Sequence, residues 1–500
     1  MRFQQWIIML IFFRIVGSVN GSYASQPTRL TLDSAVDIAI HNSYRTKQLE
    51  LDIKRNLHWL RARQASLKTQ MYLNLQSPDL QHVSANKWNS VLGRDEIVRQ
   101  NTLRWQSDMS IKQPLILLGY PTNGYLSLNH TIYRYLQRDN GDKQVDYYNR
   151  FYLKFEQPLL LPNELKNNLE EAELNLEDIK LAYIGERVEI IEDISDDYYN
   201  IFRLTYNQQI YYDHLQYLDR LKNIADSLIR REKSREMERD QIQLEMSNVQ
   251  ERFSSNQSEL RRSVLYLKQR LRLNSQDSLY VKPEINLLPV QVNLDEAIQY
   301  GYNNSSWLQQ LHIRKRRSEL DVENEKAQNA FHLSVEMTYG LETGEPRFHE
   351  IWEDFDNSNS ITLNAYVPLW DGGERRERIA AEMLDLERRD LEIEEEKEDI
   401  KNDITTAFTN LNEYYNRCEK MMKSRELARE ITQASIQKYK NNHISLQDML
   451  QIIEKTTETE QNFMEVYLGY KHAILDLMAE TYYDFEKNLS LYDEVEMKLE

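Results

Sequence analysis

Glycine, proline and cysteine are all scarce in this sequence. The 500 residues include 13 glycines and 10 prolines, which is 23 of 500 or 4.6%, against roughly 12% in an average protein. So few backbone breakers favour long uninterrupted elements, and the low mean hydropathy of −0.71 favours long helices among them. The single cysteine, Cys418, excludes an internal disulfide and a multi-cysteine metal site. Acidic residues outnumber basic residues by 80 to 62, which argues against nucleic acid as a partner.

Motifs of catalysis and cofactor binding are also missing. The ten histidines form no His-x-x-x-His pair, and no Gly-x-Gly-x-x-Gly sequence or phosphate-binding loop occurs. Carboxylate runs such as Glu394–Glu396 are typical of a solvated helix face. We therefore predict a protein that is not an enzyme and that binds no cofactor or metal ion. An exported helical enzyme is the alternative, but it would require a cluster of polar residues that the sequence does not show.

The first 24 residues have the pattern of a secretory signal peptide. Arg2 precedes the apolar run Trp6–Phe13, and Ser22 and Ala24 supply the small residues that a signal peptidase recognises. The alternative is an anchor helix, but Arg14 interrupts the run and the segment is short for a bilayer span. After Ala24 no stretch of 18 apolar residues occurs, so a membrane crossing would need strands closed into a barrel.

The remainder of the chain contains an internal duplication. Leu32–Ser43 matches Leu294–Ser305 at an offset of 262, and each match begins with Leu-Asp and continues with apolar residues at helical spacing. Pro158 and Pro368, near the ends of two matching strands, lie 210 apart, so the first half holds about 52 extra residues near 85–145 that look like an added hairpin. The predicted segments are a signal peptide at 1–24, a first repeat at 25–284, a second repeat at 285–482 and an acidic tail at 483–500.

Six segments alternate between apolar and polar residues and are predicted to be strands. Tyrosine and tryptophan crowd their ends, as is typical of strands that meet a bilayer interface. The alternative is a soluble sheet with one face on a core. The predicted strands are Met71–Leu80, Met109–Leu117, Tyr125–Tyr135, Phe151–Leu160, His332–Leu341 and Ser360–Trp370.

One long helix is predicted from Glu374 to about Tyr439, because this segment has no glycine or proline. From Ile379 onward apolar residues recur every seven positions, which is a coiled-coil period. Charged residues at the companion positions, such as Asp390 and Lys397, disfavour a dry two-stranded seam. They favour a wall of helices with water on both sides.

Three motifs, in their order along the chain, resemble the TolC family of outer-membrane efflux channels. The first is Leu-x-x-Ala-x-x-x-Ala-x-x-Asn at 32–42, which returns with glycine for the second alanine at 294–304. The second is Val-Pro-Leu-Trp-Asp-Gly-Gly-Glu-Arg-Arg at 367–376, where Asp371, Gly372 and Gly373 form a strand-to-helix turn. The third is the segment 437–450, which resembles the family's helix tip. Its turn residues are Asn441, Asn442 and Ser445.

The resemblance implies a mainly α-helical protein with a membrane β-barrel. Three identical chains would share one barrel in the outer membrane, in contact with its lipid, and would form an α-helical tunnel through the periplasm. The tunnel would dock on a periplasmic adaptor (membrane fusion protein) and an inner-membrane pump of the RND or ABC type. The implied function is a passive exit duct in tripartite efflux or type I secretion. The alternative is a soluble periplasmic coiled-coil adaptor or scaffold.

The resemblance also suggests a periplasmic gate. In family members with two aspartates after the helix tip, these residues ring the closed entrance. Asp448 matches the first, Gln451 replaces the second, and Asp240 and Gln243 are their counterparts in the first half. Three copies of Asp448 near a threefold axis would attract cations, whereas the alternative is an ordinary surface residue.

Two features depart from the family pattern. The tip glycine is replaced by Asn442, which can also adopt a left-handed conformation, and the first-half tip at 233–239 has lost the motif. The family pattern has four strands per chain and twelve per trimer, whereas six per chain would give eighteen. The added hairpin could alternatively form an extracellular loop or line the interior.

Overall fold

A computed structural model describes residues 28–91, 93–139, 142–229, 236–274, 279–328 and 330–492. The predicted signal peptide lies outside these residues, as do 233–235 of the first-half tip and 493–500 of the predicted tail. Contacts divide the chain into two units. Unit 1 contains the described parts of Met1–Lys47, Glu186–Asn304 and Ile400–Glu500, and unit 2 contains those of Gln48–Gly185 and Ser305–Asp399.

Long helices and one large sheet account for most of the described residues. The helices are α1 (Leu32–Asn42), α2 (Tyr44–Ser66), α3 (Glu164–Ile229), α4 (Glu236–Arg270), α5 (Leu294–Asn304), α6 (Ser306–Ala327), α7 (Glu374–Lys440) and α8 (Leu446–Thr481), with a short 3₁₀ helix at Glu350–Trp352. The strands are β1 (Thr28–Arg29), β2 (Gln70–Asn89), β3 (Arg94–Leu117), β4 (Tyr120–Asp139), β5 (Asp142–Leu159), β6 (Leu279–Tyr280), β7 (His332–Glu345), β8 (Asp356–Tyr366), β9 (Tyr483–Asp484) and β10 (Leu489–Ser490). Within the described residues, no helix has an apolar stretch of the length needed to cross a bilayer.

The sheet of unit 2 confirms the six predicted strand segments. Its strands are antiparallel in the order β2-β3-β4-β5-β7-β8, so that β2 and β8 form the two edges. Most strands are longer than predicted, because hydrogen bonding continues past the alternating apolar residues. The exception is β8, which ends at Tyr366 and not at Trp370. Its partner β7 begins at His332, opposite Tyr366, and offers no pairing residue beyond that point.

The added hairpin near 85–145 is part of this sheet. Strands β3 and β4 lie between β2 and β5, and the ladder continues from Met109 to His130 and on to Phe151. Within the chain, the hairpin therefore supplies sheet strands and does not form a separate loop.

The two faces of the sheet differ in chemistry. Cross-strand partners share a face, because side chains alternate along each strand. One row across the sheet is apolar over its first five strands and ends at a polar residue on β8; it comprises Met71, Ile111, Leu128, Leu153, Tyr339 and Asn359. The adjacent row on the other face is polar and comprises Gln70, Lys112, Ser127, Lys154, Thr338 and Ser360.

The core of unit 1 includes one cluster where the ends of four helices meet. The C-terminal ends of α3 and α7 and the N-terminal ends of α4 and α8 each contribute buried apolar residues. We call this the tip cluster; its buried members are Leu218, Leu221, Ala225, Leu228, Ile242, Val249, Ile436, Tyr439, Leu446, Met449 and Ile453. The predicted helix from Glu374 is confirmed as α7, whose unit 1 part contains the buried Cys418.

Candidate functional site

The turn between α7 and α8 contains a residue in the left-handed conformation. Asn442 has a φ of +61°, so the residue that replaces the family's glycine does adopt the left-handed conformation. The N–H of His443 donates to the carbonyl of Lys438 at 2.9 Å, and that of Asn442 donates to Tyr439 at 2.9 Å. This pair of bonds is a Schellman motif with Asn441 as the C-cap. The motif ends α7 and turns the chain toward α8.

Asp448 takes part in the cap of α8. Ser445 is the N-cap, and its Oγ accepts from the N–H of Asp448 at 3.2 Å. In return, Oδ2 of Asp448 accepts from the Oγ of Ser445 at 2.7 Å and from its N–H at 3.2 Å. These bonds from Ser445 lower the pKa of the exposed Asp448 carboxyl below its usual value. The Ser-x-x-Asp spacing is a capping-box pattern, so the sequence carried a signal for this role in addition to the resemblance.

The other predicted gate residues lie on outward faces of their helices. On α8, Gln451 is exposed, whereas Leu446, Met449 and Ile453 face the tip cluster. On α4, Asp240 and Gln243 are exposed on either side of the buried Ile242. Gln243 accepts a hydrogen bond from the Nζ of Lys222 on α3 at 3.1 Å.

All four side chains are therefore available to solvent in the single chain. The tip cluster fixes the helices that carry them.

The segment between β8 and α7 contains the three residues of the predicted strand-to-helix turn. Gly372 and Gly373 have φ values of +68° and +94°, which side-chain-bearing residues rarely adopt. The Asp371 carboxylate accepts from the N–H of Gly373 at 2.9 Å and from that of Arg375 at 3.2 Å. These two backbone donors lower the pKa of Asp371. The turn therefore begins α7 through hydrogen bonds from backbone N–H groups to the Asp371 carboxylate.

A buried charged network in unit 1 was not predicted from the sequence. Glu460 on α8 is only 5% exposed, and its carboxylate accepts from the hydroxyl of Tyr206 at 2.7 Å and contacts Arg429 at 2.5 Å. Burial, and then the charge of Glu460, raises the pKa of Tyr206 to about 12. These residues line a cleft of about 40 Å³ that also reaches His214 and Thr457. Tyr206 and Glu460 are 254 positions apart, so no local pattern could have indicated the contact.

Known protein structures share the fold of this chain. No family model and no curated protein sequence matches it. CusC, described as forming a transmembrane channel, aligns with a TM-score of 0.65 at 11% identity over 90% of this chain and 91% of its own. The outer membrane protein VceC of Vibrio cholerae aligns with a TM-score of 0.64 at 12% identity, over 90% and 95% of the two chains. The CmeC outer membrane channel of Campylobacter jejuni gives 0.63 at 13% identity, over 94% and 88%.

These alignments define the class of fold. The chain has the fold of the TolC-like outer-membrane channels, over nine-tenths or more of its length. The resemblance noted from the three sequence motifs is thereby confirmed at the level of the fold.

Proposed function

We propose that this protein is an outer-membrane channel subunit that serves as a passive exit duct in a tripartite efflux or type I secretion system. An inner-membrane pump of the RND or ABC type would deliver substrates through a periplasmic adaptor, and the channel itself would catalyse no reaction. The fold supports the channel, and the sequence resemblance supports the partners. The proposed location is the outer membrane, with the helices extending into the periplasm.

The observation that carries the proposal is the two-faced sheet of unit 2. On its apolar face, Met71, Leu73 and Leu75 on the edge strand β2 are between 59% and 71% exposed, and Ile361 and Leu363 on the other edge strand are 78% and 64% exposed. Exposed apolar area of this extent is costly in water. A sheet with lipid on one face and water on the other has this alternation.

The edges of the sheet support a shared barrel. Strands β2 and β8 each pair with one other strand in the described part of the chain, so each has one edge of unpaired backbone N–H and C=O groups. Lipid offers no hydrogen-bond partners for such groups. Pairing β8 of one copy with β2 of the next would remove every edge. In the proposed homotrimer, six strands from each of three copies would make an eighteen-stranded barrel.

We also propose that the helix tip forms the periplasmic gate. The carboxylate of Asp448 is exposed, and its lowered pKa keeps it ionised at neutral pH. Three copies around an axis would concentrate negative charge at the entrance, with Gln451, Asp240 and Gln243 on the surrounding helix faces.

Fractionation followed by electrical recording tests this function. We expect the full chain to remain in the outer membrane after osmotic shock, to need detergent for extraction and to cross-link as a trimer. In planar bilayers the purified trimer should form ion-conducting pores. A soluble adaptor or scaffold would instead appear in the osmotic-shock fraction, and a water-soluble monomer would refute the channel.

A further inference from the structure

Three side chains with metal-binding atoms converge between helices of unit 1. His214 on α3, Glu245 on α4 and Glu454 on α8 each place one donor atom within 4.8 Å of the other two. The three residues are 31 and 209 positions apart along the chain, so spacing rules for metal motifs do not detect them. This set, which we call the His214 cluster, plays no part in the proposed gate.

The imidazole of the cluster is buried and held in place. His214 is 2% exposed and follows the same helical stripe as Leu218 and Leu221, one and two turns away in the tip cluster. Its Nδ1 lies 2.9 Å from the Oγ1 of Thr457 on α8. A hydrogen bond at one ring nitrogen orients the ring and leaves the other nitrogen as the ligand, which is the usual arrangement of metal-binding histidines.

A ring held in this way has the lone pair that a metal ligand needs. An imidazole that donates from one nitrogen keeps a lone pair on the other, and the hydrogen-bond contact to Thr457 leaves that second nitrogen for the ion. The alternative role for the ring is a core hydrogen bond to Thr457 alone.

A guanidinium group already neutralises part of the cluster. Arg252 on α4 donates from Nη1 to Oε1 of Glu454 at 3.1 Å. Both side chains of this pair are about half exposed. The ion pair therefore contributes little to the stability of the fold, and its side chains can rearrange. A bound cation would compete with Arg252 for the carboxylate of Glu454.

We propose that the His214 cluster binds a divalent transition-metal ion of the zinc type through one imidazole and two carboxylates. Imidazole nitrogen favours such ions over Mg²⁺ and Ca²⁺, which favour oxygen ligands. With bonds of about 2.1 Å, tetrahedral ligands lie about 3.4 Å apart. The donor atoms lie within 4.8 Å of one another, so the glutamate side chains would move by at most about 1.4 Å, and water would fill the fourth position.

Binding would have a structural consequence within unit 1. The ligands come from α3, α4 and α8, so one ion would connect the helices of two different hairpins beside the tip cluster. An ion that binds the folded arrangement alone stabilises it by mass action. The metal would thus strengthen the packing of these helices.

The test is zinc binding to the full-length purified protein after dialysis against EDTA. Calorimetry should show one Zn²⁺ per chain, with Mg²⁺ and Ca²⁺ binding more than tenfold more weakly, and Zn²⁺ should raise the melting temperature. His214→Ala and Glu245→Gln should each weaken zinc binding at least tenfold. His443→Ala, at an exposed histidine of the tip turn, is the matched control and should leave binding unchanged.

Two further variants separate a ligand role from a packing role. Thr457→Val should weaken zinc binding roughly tenfold through loss of the ring's orientation. Arg252→Gln should tighten it, because the competing guanidinium is gone. The proposal is wrong if no zinc binds, or if folded His214→Ala and Glu245→Gln proteins bind it as tightly as the unmodified chain.

Discussion

The side chain of Asn304 donates from Nδ2 to the main-chain carbonyl of Thr481 at 3.2 Å. Thr481 is the last residue of α8, where carbonyls have no partner within the helix. Asn42 makes the corresponding bond to the carbonyl of Leu271 at 3.4 Å, just after the end of α4. The two asparagines occupy the same position in the predicted repeat. The duplication stays a prediction. It leads us to expect matching contacts in the two halves, and these two hydrogen bonds are such a pair.

The first prediction follows from this bond. Asn304→Ala should destabilise the C-terminal end of α8 by about 1 kcal/mol, because a helix carbonyl loses its donor. Hydrogen exchange of the last turn of α8 would measure the change. Asn412→Ala is the control, since Asn412 donates to Phe408 of its own helix and should leave α8 unchanged. Equal exchange in both variants would contradict the prediction.

The elements were predictable because their patterns are local. The period of two near Ile361 and the absence of breakers after Glu374 depend on neighbouring residues, and both segments have the predicted form. The left-handed Asn442 was predictable for the same reason, because few residue types tolerate that conformation.

Contacts between distant segments were not predictable. Strand β3 extends far beyond its segment of alternating apolar and polar residues, because β2 and β4 continue to pair with it. No sequence pattern within β3 reveals this additional pairing. The Tyr206–Glu460 bond and the His214 cluster join helices that are far apart in sequence. The resemblance indicates a gate role for Asp448, whereas its capping bond to Ser445 follows from the local Ser-x-x-Asp spacing.

A second prediction concerns Asn442. Asn442→Gly should stabilise the tip turn by a few tenths of a kcal/mol to about 1 kcal/mol, because glycine has no steric cost at positive φ. Asn442→Val should destabilise it by a larger amount, since a β-branched residue is strained there. Thermal melting of the purified protein would rank the three proteins. The same ranking should not occur at Asn441, whose φ is not positive. A more stable valine variant would contradict the assigned conformation.

A third prediction is a dependence of stability on pH. Burial, and then the charges of Asp476 and Glu480, raise the pKa of Glu192 to about 7 from an ordinary value of 4.5. Between these two values the folded chain binds more protons than the unfolded chain, so stability should fall as pH rises from about 5 to 8. Glu192→Gln should flatten this dependence and raise the melting temperature at pH 8. Glu251→Gln, at an exposed position of α4, should leave the dependence intact.

A fourth prediction compares the two faces of β8. Ile361 is 78% exposed on the apolar face, and its neighbour Thr362 points to the polar face. In the proposed barrel, Ile361→Lys places a charge in lipid and should cost about 2–4 kcal/mol near the midplane. Thr362→Lys should have little effect. Folding into lipid vesicles, followed by urea titration, would measure both, and equal tolerance of the two lysines would contradict a lipid-facing sheet.

The last prediction separates the gate charge of Asp448 from its capping role. Asp448→Ala removes both, whereas Ser445→Ala removes the cap at a cost of about 1 kcal/mol and keeps the carboxylate. If the three Asp448 carboxylates of the trimer surround the entrance, Asp448→Ala trimers in planar bilayers should show higher conductance or weaker cation preference. Ser445→Ala trimers should keep the original cation preference. Unchanged single-channel behaviour of Asp448→Ala, with the trimer confirmed, would refute the gate. A change shared equally by Ser445→Ala would show instead that the helix cap, and not the charge, controls the entrance.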